Sequence, residues 1–393
     1  MRRYHKLFHP DGRAKVVHIL STASLCLICL TGREPAPAAE PAVGDAATLP
    51  DTAGSAPSFT REVLPNGLTI IVQANSSSDV VGMEIVSRVG TRQEEGSRAG
   101  VAALTVRVME EGTRSWKGPA LRGWFEDRGS SIEARVHPDY SEIGAAVVSS
   151  QWPDMARIFS SLVNEALLAP ESISTMQAAM INEESSAAGN EEAAAYADLR
   201  TLLSGGTAYG RSESGSAATL ANLGPADVTA FYRRLVNPSN LVVVLAGNVK
   251  AEDGARTLRT LFSPLQAETT VYPPLLPAAV VREPTSLVTA GSGDAAWIMV
   301  GYPTPGVLDK DYATATVLNA VIGGSNSGLL TSHFRDQAGV YESGSFLQPF
   351  AYQTHIAGYV RADPLQWDQQ AQKMRPLVDK FQKDIAAIFD GLQ

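Results

Sequence analysis

The chain has 393 residues, 44% of them hydrophobic and 19% charged, with a net charge of −9. That length supports two domains with real cores. The acidic balance, with no basic run beyond the N-terminus, argues against nucleic-acid binding.

Residues 1–39 read as a secretory signal peptide. Arg2, Arg3, Lys6, Arg13 and Lys15 lead into an apolar run from Val16 to Leu30, and Ala36-Pro37-Ala38 supplies a small-residue cleavage signal. The run falls short of the ~20 residues of a spanning helix. Export to the periplasm, with no membrane attachment after cleavage, is the expectation, and an uncleaved anchor is the alternative. Cys26 and Cys29 follow Leu25 and Ile28, not the small residue of a lipoprotein signal. Cleavage removes both cysteines, and with them disulfides, thiol catalysis and cysteine-bound zinc. The removed segment carries six basic and two acidic residues, so the net charge falls from −9 to −13.

Residues 40–58 are rich in Ala, Pro, Gly and Asp and read as a flexible leader. A hairpin follows, with Asn66-Gly67 as the turn between Glu62–Leu64 and Leu68–Val72. Val80 to Gly90 reads as a strand. Ser97 to Glu111 reads as a helix, with Val101, Leu104, Thr105 and Val108 at helical spacing. A short helix over 119–128 and two strands around His137-Pro138-Asp139 come next. Helices are predicted over 152–168, 173–188, 193–203 and 225–235, the last with Pro225 at its first turn. Leu241 to Gly247 is a continuous apolar run, the pattern of a buried strand, and a helix over 254–262 closes the first domain.

Residues 265–284 contain Pro273, Pro274, Pro277 and Pro284 and read as an extended linker. A second cycle then begins. Strands are predicted over 296–302 and 356–360, with helices over 310–321 and 367–389. Strands grouped with helices, without strict alternation, indicate α+β domains over 59–264 and 285–393.

Several segments together resemble the pitrilysin/insulinase (M16) zinc peptidases. Leu64-Pro65-Asn66-Gly67-Leu68 is similar to the family's opening L-x-N-G-L, and Arg92-Gln93-Glu94-Glu95-Gly96 to its acidic turn. Asp227-Val228, Phe231-Tyr232, Pro238-Ser239-Asn240 and Gly247 match its domain-closing pattern. The resemblance implies tandem M16-type domains, each a mostly antiparallel sheet packed with helices. It also implies that the second domain is shortened, since the family continues past the helix in which Gln393 stands.

The family's active-site helix carries G-[hydrophobic]-A-H-x-x-E-H-x-x-x-x-G-T. There the two histidines share one helix face and ligate zinc, and the glutamate acts as general base. This chain keeps Gly100-Val101-Ala102 and Gly112-Thr113 but has Ala103, Val106 and Arg107 at the His, Glu and His positions. Counting on to the family's third ligand reaches Glu183, which is of the right type. Arg107 brings a fixed positive charge to the place of the cation, so an Arg107–Glu183 salt bridge filling a degenerate metal site is expected. Glu110 and Glu111 read as solvated helix-end acids. His137, His333 and His355 are isolated and read as structural.

In the second domain, Gly323-Gly324-Ser325-Asn326-Ser327-Gly328-Leu329 and the run Phe334 to Tyr341 resemble the family segment whose Arg and Tyr hold the peptide across the cleft. The resemblance assigns substrate binding to Arg335 and Tyr341, which stand six apart here and seven apart in the family. The Gly-Gly pair lacks a following Gly-Lys-Ser/Thr and reads as a turn, not a phosphate loop. The resulting expectation is a non-catalytic subunit with no catalytic residue, metal or cofactor of its own. It binds peptide and completes the cleft of an H-x-x-E-H-bearing M16 partner, which carries the zinc. An active zinc endopeptidase with unusual ligands and a purely structural scaffold are the alternatives.

Overall fold

The computed structural model describes residues 15–19, 59–187, 189–204, 206–267, 285–289, 291, 295–337, 340, 342–365 and 368–372. The strands are β1 (Lys15–Ile19), β2 (Phe59–Val63), β3 (Thr69–Ala74), β4 (Val80–Ser87), β5 (Glu133–Val136), β6 (Ser141–Val148), β7 (Leu241–Gly247), β8 (Ser286–Thr289), β9 (Ala296–Pro305), β10 (Ser343–Gln348) and β11 (Gln353–Ala362). The helices are α1 (Val101–Met109), α2 (Gly118–Glu126), α3 (Trp152–Glu165), α4 (Pro170–Ala187), α5 (Glu191–Leu203), α6 (Ala217–Leu220), α7 (Pro225–Leu235), α8 (Ala251–Phe262), α9 (Tyr312–Ile322) and α10 (Leu329–Thr331).

Two mixed sheets, mostly antiparallel, organise an α+β fold. The first has the order β2-β3-β7-β4-β6-β5, and the second β10-β11-β9-β1-β8. In the first sheet β7 is central, parallel to β3 and antiparallel to β4. Leu241, Val243 and Leu245 of its apolar run are buried, and Val242, Val244 and Ala246 are half-buried. The first core joins this sheet face to α1, α3, α7 and α8, with Phe125, Phe159 and Phe262 fully enclosed. Asn66-Gly67 makes the β2–β3 turn as predicted, with Gly67 at φ +90°.

Helix α1 is shorter than the predicted span. Gly96–Arg98 forms a separate 3-10 turn, and Gly100 at φ +95° breaks the helical backbone before Val101. Strand β10 has no counterpart among the predicted strands, because its Ser-Gly-Ser start carries little apolar pattern. Lys15–Ile19 lies inside the segment read as a signal peptide, yet stands as a strand between β8 and β9. Val16-Val17 is β-branched as well as apolar, so the same run suits either setting. The linker beyond residue 267 and most of the helix predicted over 367–389 lie outside the described residues. Only 368–372 of that helix are seen, in helical form. Among the described residues no helix is long and apolar enough to cross a membrane.

The two halves are joined by polar contacts. Arg92 pairs with Asp139 at 2.9 Å, and Asp139 accepts hydrogen bonds from the Tyr209 hydroxyl (2.8 Å) and from the backbone N–H of Ala351 (2.7 Å). Tyr209 stacks on Phe350, and the Arg92 guanidinium lies over the Tyr352 ring. Helix α5 packs on β9 of the second sheet, where Ala195, Leu199 and Leu203 meet Trp297, Met299 and Ala357. His355 is buried there, 2.9 Å from the Tyr196 hydroxyl. Burial, aided by the nearby Arg200 charge, pushes its pKa down to about 3, so it is neutral and structural, as predicted.

Candidate functional site: a degenerate metal-site helix

The family-like frame around α1 survives for structural reasons. A Cβ on Gly100 would sit 2.7 Å from the Ser214 carbonyl oxygen and 2.9 Å from Leu220, and the residue's positive φ also favours glycine. Gly112 has φ +139° and lies against the backbone of Trp116. Thr113 closes the turn twice. Its N–H donates to the Trp116 carbonyl (2.7 Å), and its hydroxyl accepts from the Trp116 N–H (3.0 Å). None of these contacts needs a metal, so the frame can persist without the chemistry.

Glu94 supplies the cap that glycine cannot. Its buried carboxylate accepts from the N–H of Ala102 (2.8 Å) and of Gly100 (3.2 Å), satisfying donors at the start of α1. Burial outweighs these hydrogen bonds and pushes its pKa up to about 7. The acidic turn is visible in the sequence, but not which of its two glutamates folds back.

Seven of the nine residues of α1 are buried. Ala103 and Arg107 are not, and with Glu110, the C-cap residue, their i, i+4, i+7 spacing sets them on one outward stripe. Val106, at the family's general-base position, is 2% exposed. It lines a small apolar pocket with Ile85, Met109, Ile143 and Val163. Arg107 reaches α4 and pairs with Glu183, its Nη1 lying 2.9 Å from Oε1 and 2.8 Å from Oε2. The predicted pair therefore forms, and it joins the two positions that the resemblance marks as metal ligands.

Glu110 corrects the reading of solvated helix-end acids. It is half-buried, and desolvation raises its pKa to about 7 despite the Arg107 charge nearby. Glu111 pairs with Arg122 at 2.8 Å.

Among the sites predicted in the second half, Arg335 sits in a π-helical stretch, Ser332–Gln337, a geometry frequent at functional sites. It donates to the Asn326 carbonyl oxygen at 3.4 Å. Tyr341 lies outside the described residues. The Gly323–Gly328 segment is a packed turn, with a Cβ on Gly328 falling 2.6 Å from Gly323 Cα.

A family profile described as insulinase (peptidase family M16) matches residues 69–206, and one described as the peptidase M16 inactive domain matches residues 222–390. The chain belongs to the M16 peptidase family. An uncharacterized zinc protease of Streptomyces coelicolor is 24% identical over 297 residues, covering 74% of this chain and 65% of that relative. The solved M16 inactive domain from Pseudomonas fluorescens superposes with a TM-score of 0.71 at 16% identity, over 82% of this chain and 79% of that one. A protease from Helicobacter pylori superposes at 0.65 and 14% identity, over 86% of each chain. At these identities the solved structures establish the fold alone.

The zinc of an M16 peptidase does not fit the residues present. Ala103 has no donor atom, and the Arg107 guanidinium already holds Glu183. Among the described residues no group of three or more His, Cys, Asp or Glu is placed to hold a metal ion. Arg107→Ala is expected to lower the melting temperature only slightly. Both partners are more than a third exposed, and such pairs contribute about 0.2–1 kcal/mol. Differential scanning calorimetry would read the shift, and a drop on the order of ten degrees, well beyond what such a pair supplies, would mean that it supports more than itself.

Proposed function

We propose that this M16 chain is a non-catalytic subunit that binds peptide and completes the cleft of an H-x-x-E-H-bearing M16 partner in the periplasm. In this reading zinc and the general base belong to the partner, and residues 1–39 direct export. The observation that carries it is the Arg107–Glu183 pair beside Ala103 and Val106, which leaves α1 without a ligand set or a base. Arg335 and Tyr341 supply the donors that hold a peptide carbonyl. Strand β5 pairs only with β6 among the described residues and lies beside α1. Its free edge can take an extended peptide as an added strand.

The test is purification of the tagged chain from its native envelope fraction, followed by peptide hydrolysis assays on the isolated chain and on any complex. The expected result is a stoichiometric H-x-x-E-H partner, with hydrolysis by the complex alone and a several-fold rise in KM on Arg335→Ala. Chelator-sensitive hydrolysis by the isolated chain would overturn the reading.

A further inference from the structure

The two sheets repeat one plan and differ at one place. β4, β6 and β5 of the first sheet correspond in order and direction to β9, β11 and β10 of the second. β8 precedes β9 as β3 precedes β4. The position matching central β7 is therefore the gap between β8 and β9. There the chain places β1, antiparallel to β8 and parallel to β9, which is the reverse of β7's direction.

The gap demands a strand on physical grounds. Residues 296–300 of β9 are buried on both faces: Trp297 and Met299 lie in the cluster formed with α5, and Ile298 and Val300 in the other core. Backbone N–H and C=O groups walled in on both faces have poor access to water, and leaving them unpaired is costly. Among the described residues β8 has no strand neighbour except β1. A suitable occupant is short, extended and β-branched, as Lys-Val-Val-His-Ile is.

We propose that the gap between β8 and β9 is a strand-acceptor site, and that its occupant is the N-terminal segment Lys15–Ile19. The second sheet is then completed by a strand from outside its own domain. Because the donor lies within residues 1–39, removal of that segment opens the site, so export processing and the integrity of the second sheet are linked. The link to processing rests on the proposed export role of residues 1–39, while the strand-acceptor site itself stands apart from the peptide-binding reading, which concerns α1, β5 and Arg335.

Hydrogen exchange read by mass spectrometry tests it on the full chain, on the chain lacking residues 1–39, and on full-length Val17→Pro. Val17 is paired with Leu287 on one side and Met299 on the other, and proline removes its ladder donor. Amides of 287–289 and 298–301 should exchange about tenfold faster or more in both variants, while those of β3 stay unchanged and report a folded first half. A synthetic peptide spanning residues 14–20 should restore slow exchange in the shortened chain. Equal exchange in the full chain and both variants would overturn the proposal, as would failure of the peptide to restore protection.

Discussion

Replacing Ala103 and Arg107 together by histidine should turn this chain into a zinc-binding protein. The two positions lie one helical turn apart on the outward stripe of α1, and Glu183 already reaches to 2.8 Å from the side chain at position 107. Two imidazoles and a carboxylate make the three-ligand set of an open zinc site. The substitution also removes the cation that occupies Glu183. Metal analysis after dialysis should find one zinc per double-variant chain and none in the parent. Free zinc at about a thousand times Kd would add about 4 kcal/mol of stability. Hydrolysis should not follow, because Val106 remains in place of the base. Adding Val106→Glu would push a carboxylate into a pocket walled by Ile85, Met109, Ile143 and Val163, at a cost of several kcal/mol on the scale of about 1–3 or more for a poorly paired polar group. Should the double variant hold no zinc, the α1–α4 geometry is not a metal frame.

The fold should gain stability as the pH falls from 8 to 5. Burial raises the carboxyls of both Glu94 and Glu110 to about 7, from an ordinary value of 4.5. Between those values the folded chain holds protons that the unfolded chain has released. Unfolding free energy therefore rises as pH drops through 7 and levels off near 4.5. A tenfold difference in proton affinity between the folded and unfolded chain is worth about 1.36 kcal/mol, so each group contributes up to about 3 kcal/mol. Buried His355, held at about 3 against an ordinary 6.5, opposes this trend below about pH 6.5, where two raised carboxyls still outweigh one imidazole. Surface pairs such as Glu62–Arg259 oppose it only below pH 4.5, because their carboxylate pKa is lowered. Urea midpoints at pH 8, 6.5 and 5 measure the slope. Glu110→Gln should remove about half of the rise between pH 8 and 6.5, since one of the two raised carboxyls no longer titrates, and should flatten the curve below pH 6.5, where His355 offsets the other. Glu94→Gln should cost stability at every pH, because its amide offers one acceptor oxygen to two backbone donors. A stability that declines steadily from pH 8 to pH 5 would contradict the burial of these groups.

Local pattern carried much of the fold. Asn66-Gly67 announced the first turn because the tight three-residue loop Pro65–Gly67 ends on a residue at positive φ, which favours glycine. The run Leu241–Gly247 announced a strand with little contact with water, and β7 is central, with Leu241, Val243 and Leu245 buried and the residues between them half-buried. The meeting of α1 with α4 came from the family resemblance, whose count of 76 positions leads from Arg107 to Glu183. Less legible were features that depend on which chain segments come close in space. Strand β10 has a weak pattern of its own and is fixed by its register with β11. The clamp from Arg92 through Asp139 to Ala351 joins residues 212 positions apart, and nothing local marks Asp139 as a partner for a distant N–H.

The sequence by itself therefore determined the family, the α+β plan and the absence of histidine at positions 103 and 107, because these depend on residue type and spacing. Only the tertiary structure decided that Val106 is sealed in the core, that Glu94 caps α1, that Glu110 is half-buried, and that an N-terminal strand fills the second sheet. Each of those turns on desolvation or on backbone pairing between distant segments, and both are properties of the packed chain.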